Sequence, residues 1–250
     1  MDPAARIVVV GATSAIAQHC LRLWAGRGAV DITLIGRDPA RLERVRADLL
    51  ARASGCAVRI DTPDFLDPAA IAAAAQRAVA HGTVDLVLIA HGSLPEQGRC
   101  ESDVGACREA LEINAVSPAL FAEAFAGHLA AAGRGTLALI GSVAGDRGRK
   151  TNYVYGSAKA LLDRYAQGLQ HRFARSGVKV VLIKPGPTHT PMTAPLHARG
   201  ARLAPPEQVA REIVDGLAAG RRVIYTPRKW EIIMFVIRHL PAVVFNRLNI

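Results

Sequence analysis

The sequence predicts a doubly wound α/β fold from three features: short β-branched runs, longer stretches of helical spacing between them, and a small-residue turn after the first run. Seven runs have strand character: Ile7–Val10, Ile32–Ile35, Val58–Ile60, Val84–Ala90, Thr136–Ile140, Lys179–Ile183 and Val223–Tyr225. Between them, Ile16, Cys20, Leu23 and Trp24 recur at helical spacing, as do Leu42, Val45 and Leu49, and later Leu161, Leu162, Tyr165, Leu169 and Phe173. Strands alternating with helices pair in parallel, and right-handed crossovers wind the helices onto both sheet faces. The expected body is a seven-stranded parallel sheet of Rossmann type. Such sheets bind ligands beyond the carboxyl ends of their strands, near the point where strand order reverses, so functional residues should follow strands.

At 250 residues, half of them apolar, the chain can bury a core without disulfides or metals. Residues 1–227 are expected to form one domain and residues 228–250 an apolar, basic tail. There is no internal repeat, and the proline-rich stretch Lys184–Pro206 reads as an active-site loop. Cys20, Cys56, Cys100 and Cys107 show no CxxC pair and no His/Cys spacing of a zinc site, so no metal is expected and a reducing cytoplasm fits. No charged leader precedes a long apolar run, and about 18 uninterrupted apolar residues occur nowhere, which argues against secretion and membrane spanning. The net charge of +10 admits nucleic acid or an anionic membrane surface. Arg, however, greatly outnumbers Lys and Ala is abundant, a bias genome composition produces. Without an RNA-binding signature or zinc-finger spacing, no nucleic-acid partner is expected.

After the first strand, Gly11-Ala12-Thr13-Ser14-Ala15-Ile16-Ala17 leads straight into a helix, whose free N–H groups and dipole can hold a pyrophosphate. Alone, this turn reads equally as a strand-to-helix connection capped by Thr13 or Ser14. Support comes from Leu34-Ile35-Gly36-Arg37, at the end of the second strand. A carboxylate there would select NADH, whereas Arg37 can pair with a 2′-phosphate, so NADP(H) is preferred over NAD(H). The alternative is a solvated loop charge. Asp64, after the third strand, is placed to accept from an adenine amino group, or else is an acid at the start of the helix containing Pro68.

Tyr155 and Lys159 stand four apart at the start of a predicted helix and share one face. With 4 Tyr and 5 Lys in 250 residues, chance gives roughly 0.08 such pairs. Ser142 closes the fifth strand in Gly141-Ser142-Val143-Ala144-Gly145, where a hydroxyl can hold a substrate carbonyl. A phenol with a pKa near ~10 is a poor acid at neutral pH, but an ammonium about 4 Å away contributes roughly 4 kcal/mol at an effective dielectric of about 20. That is roughly three pKa units, which would bring the tyrosine close to working pH.

With Ser142, Tyr155 and Lys159 in this order, Asn114 in Ile113-Asn114-Ala115-Val116-Ser117, and Pro185-Gly186-Pro187-Thr188-His189-Thr190 downstream, the chain resembles the short-chain dehydrogenase/reductases along its length. The resemblance implies that Tyr155 protonates a carbonyl oxygen while hydride leaves the nicotinamide, and that Ser142 orients the carbonyl. It implies that Lys159 binds the nicotinamide ribose and lowers the tyrosine pKa, and that Asn114 supports a water relay to Lys159. Pro185, Gly186, Thr188 and Thr190 would line the nicotinamide, with Thr188 acting through its backbone. Two places depart from the family pattern. Ala15 and Ala17 replace its second and third glycines, and Ile89-Ala90-His91-Gly92 replaces Asn-Asn-Ala-Gly. His91 is either a substrate contact or a structural hydrogen-bonding residue.

The tail, Trp230 to Pro241 followed by Val243 to Leu248, is apolar and punctuated by basic residues. It is too short to span a bilayer. It either lies in a membrane interface, with Trp230, Phe235 and Phe245 inserted and Arg228, Lys229, Arg238 and Arg247 at headgroups, or packs on the domain or a second subunit. With Tyr225-Thr226-Pro227 and the stretch from Ser142 to Gly156, it resembles the decaprenylphosphoryl-2-keto-β-D-erythro-pentose reductases. That resemblance implies a lipid-linked keto-sugar substrate, a flavin-dependent oxidase as partner, and peripheral contact with the cytoplasmic face of the inner membrane. A homo-oligomer is the family default. Two rival readings are a generic soluble ketoreductase for acyl, polyketide or steroid-like ketones, and a dinucleotide sensor without turnover.

Overall fold

The structure, a computed structural model, describes residues 5–248 except Ala29 and Ser54. The first four residues of the expected domain and the last two of the expected tail therefore lie outside the described residues. Seven strands form one sheet: β1 (Arg6–Val10), β2 (Asp31–Ile35), β3 (Ala57–Asp61), β4 (Leu86–Ile89), β5 (Arg134–Ile140), β6 (Gly177–Pro185) and β7 (Val223–Thr226). Their order is β3-β2-β1-β4-β5-β6-β7, and every pair is parallel. Strand order reverses between β1 and β4, where Ile7 to Val10 lie opposite Leu86 to Ile89. A crevice at that point is open to a ligand because the connections leave β1 and β4 in opposite directions.

Alternation along β1 shows how the sheet divides two cores. Ile7 and Val9 face Leu21, Trp24, Leu42 and Ile213, which belong to α1 (Ala15–Ala25), α2 (Pro39–Arg52) and α9 (Pro206–Ala218). Val8 and Val10 face Ile71, Phe121, Phe125 and Leu162, from α3 (Pro68–Val79), α6 (Ser117–Ala132) and α7 (Tyr153–Arg172). Both faces of each central strand are covered, which is why these strands read as unbroken apolar runs. Helix starts follow local chemistry: Asp38 accepts from the Arg41 N–H and Asp67 from the Ala69 N–H, each followed by proline in the first turn.

Between β4 and β5, α4 (Gln97–Ser102) precedes α5 (Val104–Leu111), a π-helical turn over Glu112–Val116, and α6. The continuous run Val104–Ala132 is long and apolar enough to cross a membrane by composition, yet Phe121, Phe125 and Leu129 bury it against the sheet. After β6 come the short helix α8 (Ala194–Ala198) and α9, and after β7 come α10 (Lys229–His239) and α11 (Ala242–Phe245). These last two helices are pinned to the loop after β5. Arg147 donates to the carbonyls of Ile237 (2.5 Å) and Leu240 (2.6 Å) and stacks on the Phe245 ring at 3.7 Å, while Met234 is fully buried.

This corrects part of the interfacial picture of the tail. Trp230 is half-buried against Gly186, where an added Cβ would lie 2.0 Å from its Nε1, and Phe245 sits under Arg147. Ile232, Phe235, Val236 and Val243 carry the exposed apolar surface instead.

Candidate active site

A cavity of about 550 Å³ runs across the carboxyl ends of the strands. At one end, the turn after β1 contributes Gly11, Thr13, Ser14, Ala15 and Ile16. Gly11 has φ +78°, and a Cβ there would meet the His91 backbone nitrogen at 2.5 Å, so only glycine allows this close approach. No side chain caps α1, which leaves the N–H groups of its first turn available to an anion. Arg37 lines the same end, and so does Arg41, four residues on, which the sequence reading passed over. Asp64 also lines it, and its Oδ1 accepts from the Leu66 N–H at 2.8 Å. Asp67 is the residue that caps α3, so Asp64 is not the helix-start acid.

His91 lies beneath the Gly11 turn. Its ring meets Phe65 edge-on at 4.9 Å, and its Nε2 is 3.0 Å from the Ser117 hydroxyl. Burial, with Lys159 and Arg37 adding to it, pushes its pKa down to about 3, so the ring is neutral. Of the two roles open for His91, this packing is the structural one, although the residue does line the cavity.

At the other end, Ser142, Tyr155, Lys159 and Asn114 line the cavity together with Pro185, Gly186, Thr188 and Thr190. Ser142 lies two residues beyond β5 and its Oγ accepts from the Ala144 N–H at 3.1 Å, which fixes the side chain. Tyr155 and Lys159 are one turn apart on α7, with Lys159 Nζ 5.7 Å from the phenol ring centroid and donating to the Ile140 carbonyl at 3.1 Å. Asn114 is held in the π-turn. Its Oδ1 accepts from the Ser93 N–H (2.9 Å), and its Nδ2 donates to the Ala110 carbonyl (2.9 Å). A Cβ on Gly92 would lie 2.8 Å from Asn114 Oδ1 and 3.6 Å from Lys159 Nζ, so both polar atoms border the same small space. The Thr188 hydroxyl is already committed, donating to the Gly186 carbonyl at 2.9 Å.

One expectation about the phenol is corrected. Burial pushes Tyr155 above its ordinary pKa, the hydrogen bond from Ser142 opposes this, and the net direction is up. The drop expected from Lys159 assumed an ammonium about 4 Å away. Here that ammonium is turned toward the Ile140 carbonyl and is itself pushed down to about 8 by burial, partly offset by Asp163.

Asp163 was not anticipated. It follows Lys159 by one more turn of α7 and pairs with Lys184 of β6 at 2.5 Å. Lys184 also pairs with Asp146, which accepts from the Tyr225 hydroxyl at 2.8 Å. Burial lowers the Lys184 pKa, but its two carboxylate partners outweigh that and raise it. Residues 146, 163, 184 and 225 are too far apart in sequence for any spacing rule to group them.

A polar lining beyond a strand-order switch point, with a Tyr-Lys pair at one end and arginines at the other, suits a dinucleotide-dependent oxidoreductase. Comparison with known proteins agrees. Residues 5–200 match the family described as short chain dehydrogenase, and the chain belongs to that family. It is 36% identical over 251 residues to an uncharacterized oxidoreductase of Streptomyces coelicolor, covering 98% of this chain and 96% of that one. It is 34% identical over 219 residues to cis-4-hydroxycyclohexanecarboxylate dehydrogenase of Sinomonas cyclohexanicum, covering 82% of this chain and 86% of that one. A short chain dehydrogenase from Burkholderia cenocepacia in complex with NADP superposes with a TM-score of 0.84 over 99% of this chain and 98% of that one, and its 20% identity carries the fold alone.

Proposed function

We propose that this oxidoreductase reduces a ketone with NADPH, with Tyr155 as proton donor. The observation that carries the reading is that Ser142, Tyr155 and Lys159 open on one cavity that continues to Arg37 and Arg41. The lining fits a nicotinamide dinucleotide phosphate: uncapped N–H groups after Gly11 suit a pyrophosphate, Arg37 and Arg41 suit a 2′-phosphate, and Asp64 suits an adenine amino group. The bound cofactor supplies the hydride. Ser142 orients the carbonyl, and Tyr155 passes its proton to the carbonyl oxygen. Lys159 holds the ribose and stabilises the phenolate as it forms. Asn114 supports proton resupply to Lys159, and Thr188, through its backbone, and Thr190 position the carboxamide.

The finer reading is that the ketone is the 2-keto group of a polyprenyl-phosphate-linked pentose or related keto-sugar, supplied by a flavin-dependent oxidase at the cytoplasmic face of the inner membrane. Its support is the exposed apolar surface of α10 and α11, where Ile232, Phe235 and Val243 stand beside Arg238 and Arg247. A second reading, a ketoreductase for cyclic or acyl ketones, is favoured by Leu94, Met192 and Leu196 in the cavity lining and by the cyclic substrate, a hydroxycyclohexanecarboxylate, in the name of the Sinomonas relative. In that case the apolar surface serves a homo-oligomer.

Tyr155→Phe should lower ketone turnover roughly 10²- to 10⁴-fold while NADPH binding persists. Undiminished turnover would remove Tyr155 as the donor, and NADPH binding without turnover of any ketone by the unaltered chain would make it a sensor. Anionic phospholipid vesicles should sediment the protein, and Phe235→Ser should release it. Failure to sediment, with dimers lost in the same variant, would give the surface to a second copy.

A further inference from the structure

The loop joining Ser142 to Tyr155 carries two polar side chains that the reduction chemistry does not use. Arg149 and Asn152 both line the cavity. They flank the reacting groups in sequence and belong to the opposite end of the cavity from Arg37, Arg41 and Asp64.

The guanidinium of Arg149 is poorly matched by the protein. Its Nε is shut off from solvent and has no hydrogen-bond partner among the described residues. One terminal nitrogen reaches the Met234 sulfur at 3.4 Å, and a thioether is only a weak acceptor. Burial pushes its pKa down, and the one acid acting against this is Asp146, whose two oxygens are already engaged by Lys184 and Tyr225. Asn152 is in a similar position, with its Oδ1 buried and unpartnered among the described residues.

Arginine keeps its charge at any working pH, so the half-buried Arg149, with its Nε enclosed and unpaired among the described residues, carries a cost that a ligand anion can offset. Its planar fork matches carboxylate and phosphate oxygens in pairs. We infer that Arg149 anchors an anionic group of the substrate, a carboxylate or a phosphate, and that Asn152 accepts from a hydroxyl beside it, so that the enzyme selects ketones carrying a negative charge. This rests on the reading of the cavity as a ketone-reducing site, and it names the charge class of the ketone.

The test compares kcat/KM for 4-oxocyclohexanecarboxylate with its methyl ester, and for a keto-alkyl phosphate with the matching keto-alcohol. The unaltered enzyme should prefer the charged member of at least one pair, and which pair it is distinguishes carboxylate from phosphate. In Arg149→Gln the charged-to-neutral ratio should fall roughly ten- to hundredfold. Arg149→Lys, which keeps the charge and loses the fork, should restore part of it. Met234→Leu removes the sulfur contact and should leave the ratio where it was. If Met234→Leu lowers the ratio as much as Arg149→Gln, Arg149 serves only to tie α10 to the loop and the inference falls. It also falls if the unaltered enzyme shows no preference for charge.

Calorimetry with the NADPH-loaded protein adds a readout independent of turnover, using cyclohexanecarboxylate and hexyl phosphate as non-reacting probes. Arg149-dependent binding without turnover of any ketone would keep the anion site and overturn the reductase reading. Turnover of neutral ketones with no probe binding would do the reverse.

Discussion

The two ends of the cavity are built on different physical terms. The nucleotide end is mostly backbone and exposed charge: the Gly11 turn, an uncapped helix start, and Arg37, Arg41 and Asp64 facing solvent. The reacting end is buried, with Ser142, Asn114 and Lys159 nearly inaccessible and Lys184 enclosed with Asp146 and Asp163 behind them. Exposed charges are screened by water and salt, so the first end can discriminate between cofactors without carrying much stability. Buried charges are not screened, so the second end governs both protonation and folding.

The largest expected effect comes from breaking the buried cluster. Lys184→Met leaves two carboxylates enclosed without a cation and should cost about 3–5 kcal/mol of stability in urea unfolding. A loss below about 1 kcal/mol would mean that the two ends differ less than their burial implies.

Next comes the titration of Lys159, which lies near 8 in the folded protein against an ordinary 10.5. Between those values the unfolded chain binds the proton that the folded one has lost, so the contribution of Lys159 to stability rises with pH across that window. Relative to Lys159→Met, the unaltered protein should gain up to about 3 kcal/mol between pH ~8 and ~10.5. Ketone reduction should decline over the same rise, as the ammonium is lost. A stability difference that does not change with pH would place Lys159 in a wetter environment than the structure shows.

The smallest effect belongs to the exposed end. Replacing Arg37 and Arg41 together by alanine should reduce the preference for NADPH over NADH by about tenfold, with the loss shrinking as salt is raised. Unchanged cofactor preference would show that the 2′-phosphate is held elsewhere.

Much of this contrast could be read from the chain, and its limits are instructive. All seven strands lie where β-branched runs predicted them, most plainly the central ones, which are buried on both faces. Their ends were less legible. The expected Val84–Ala90 narrows to Leu86–Ile89, the residues opposite Ile7 to Val10, while the expected Lys179–Ile183 widens to Gly177–Pro185 because β5 and β7 extend pairing beyond it. Composition does not encode where a neighbour's ladder stops. The motif residues from Gly11 to Thr190 could be named in advance, and the fold gathers them around one cavity. The Lys184 cluster could not, since its members are distant in sequence, and Arg41, Arg149 and Asn152 stand at no spacing that marks them.

Periodicity and four-residue spacing are local properties of the chain, and they were enough to specify the sheet, its parallel pairing and the helical turn joining Tyr155 to Lys159. The folded arrangement alone sets that burial outweighs the Ser142 hydrogen bond at the phenol, that His91 packs beneath the glycine turn, and that the tail docks through Arg147. Desolvation and ion pairing depend on what the rest of the chain brings alongside a residue, and no local pattern records that.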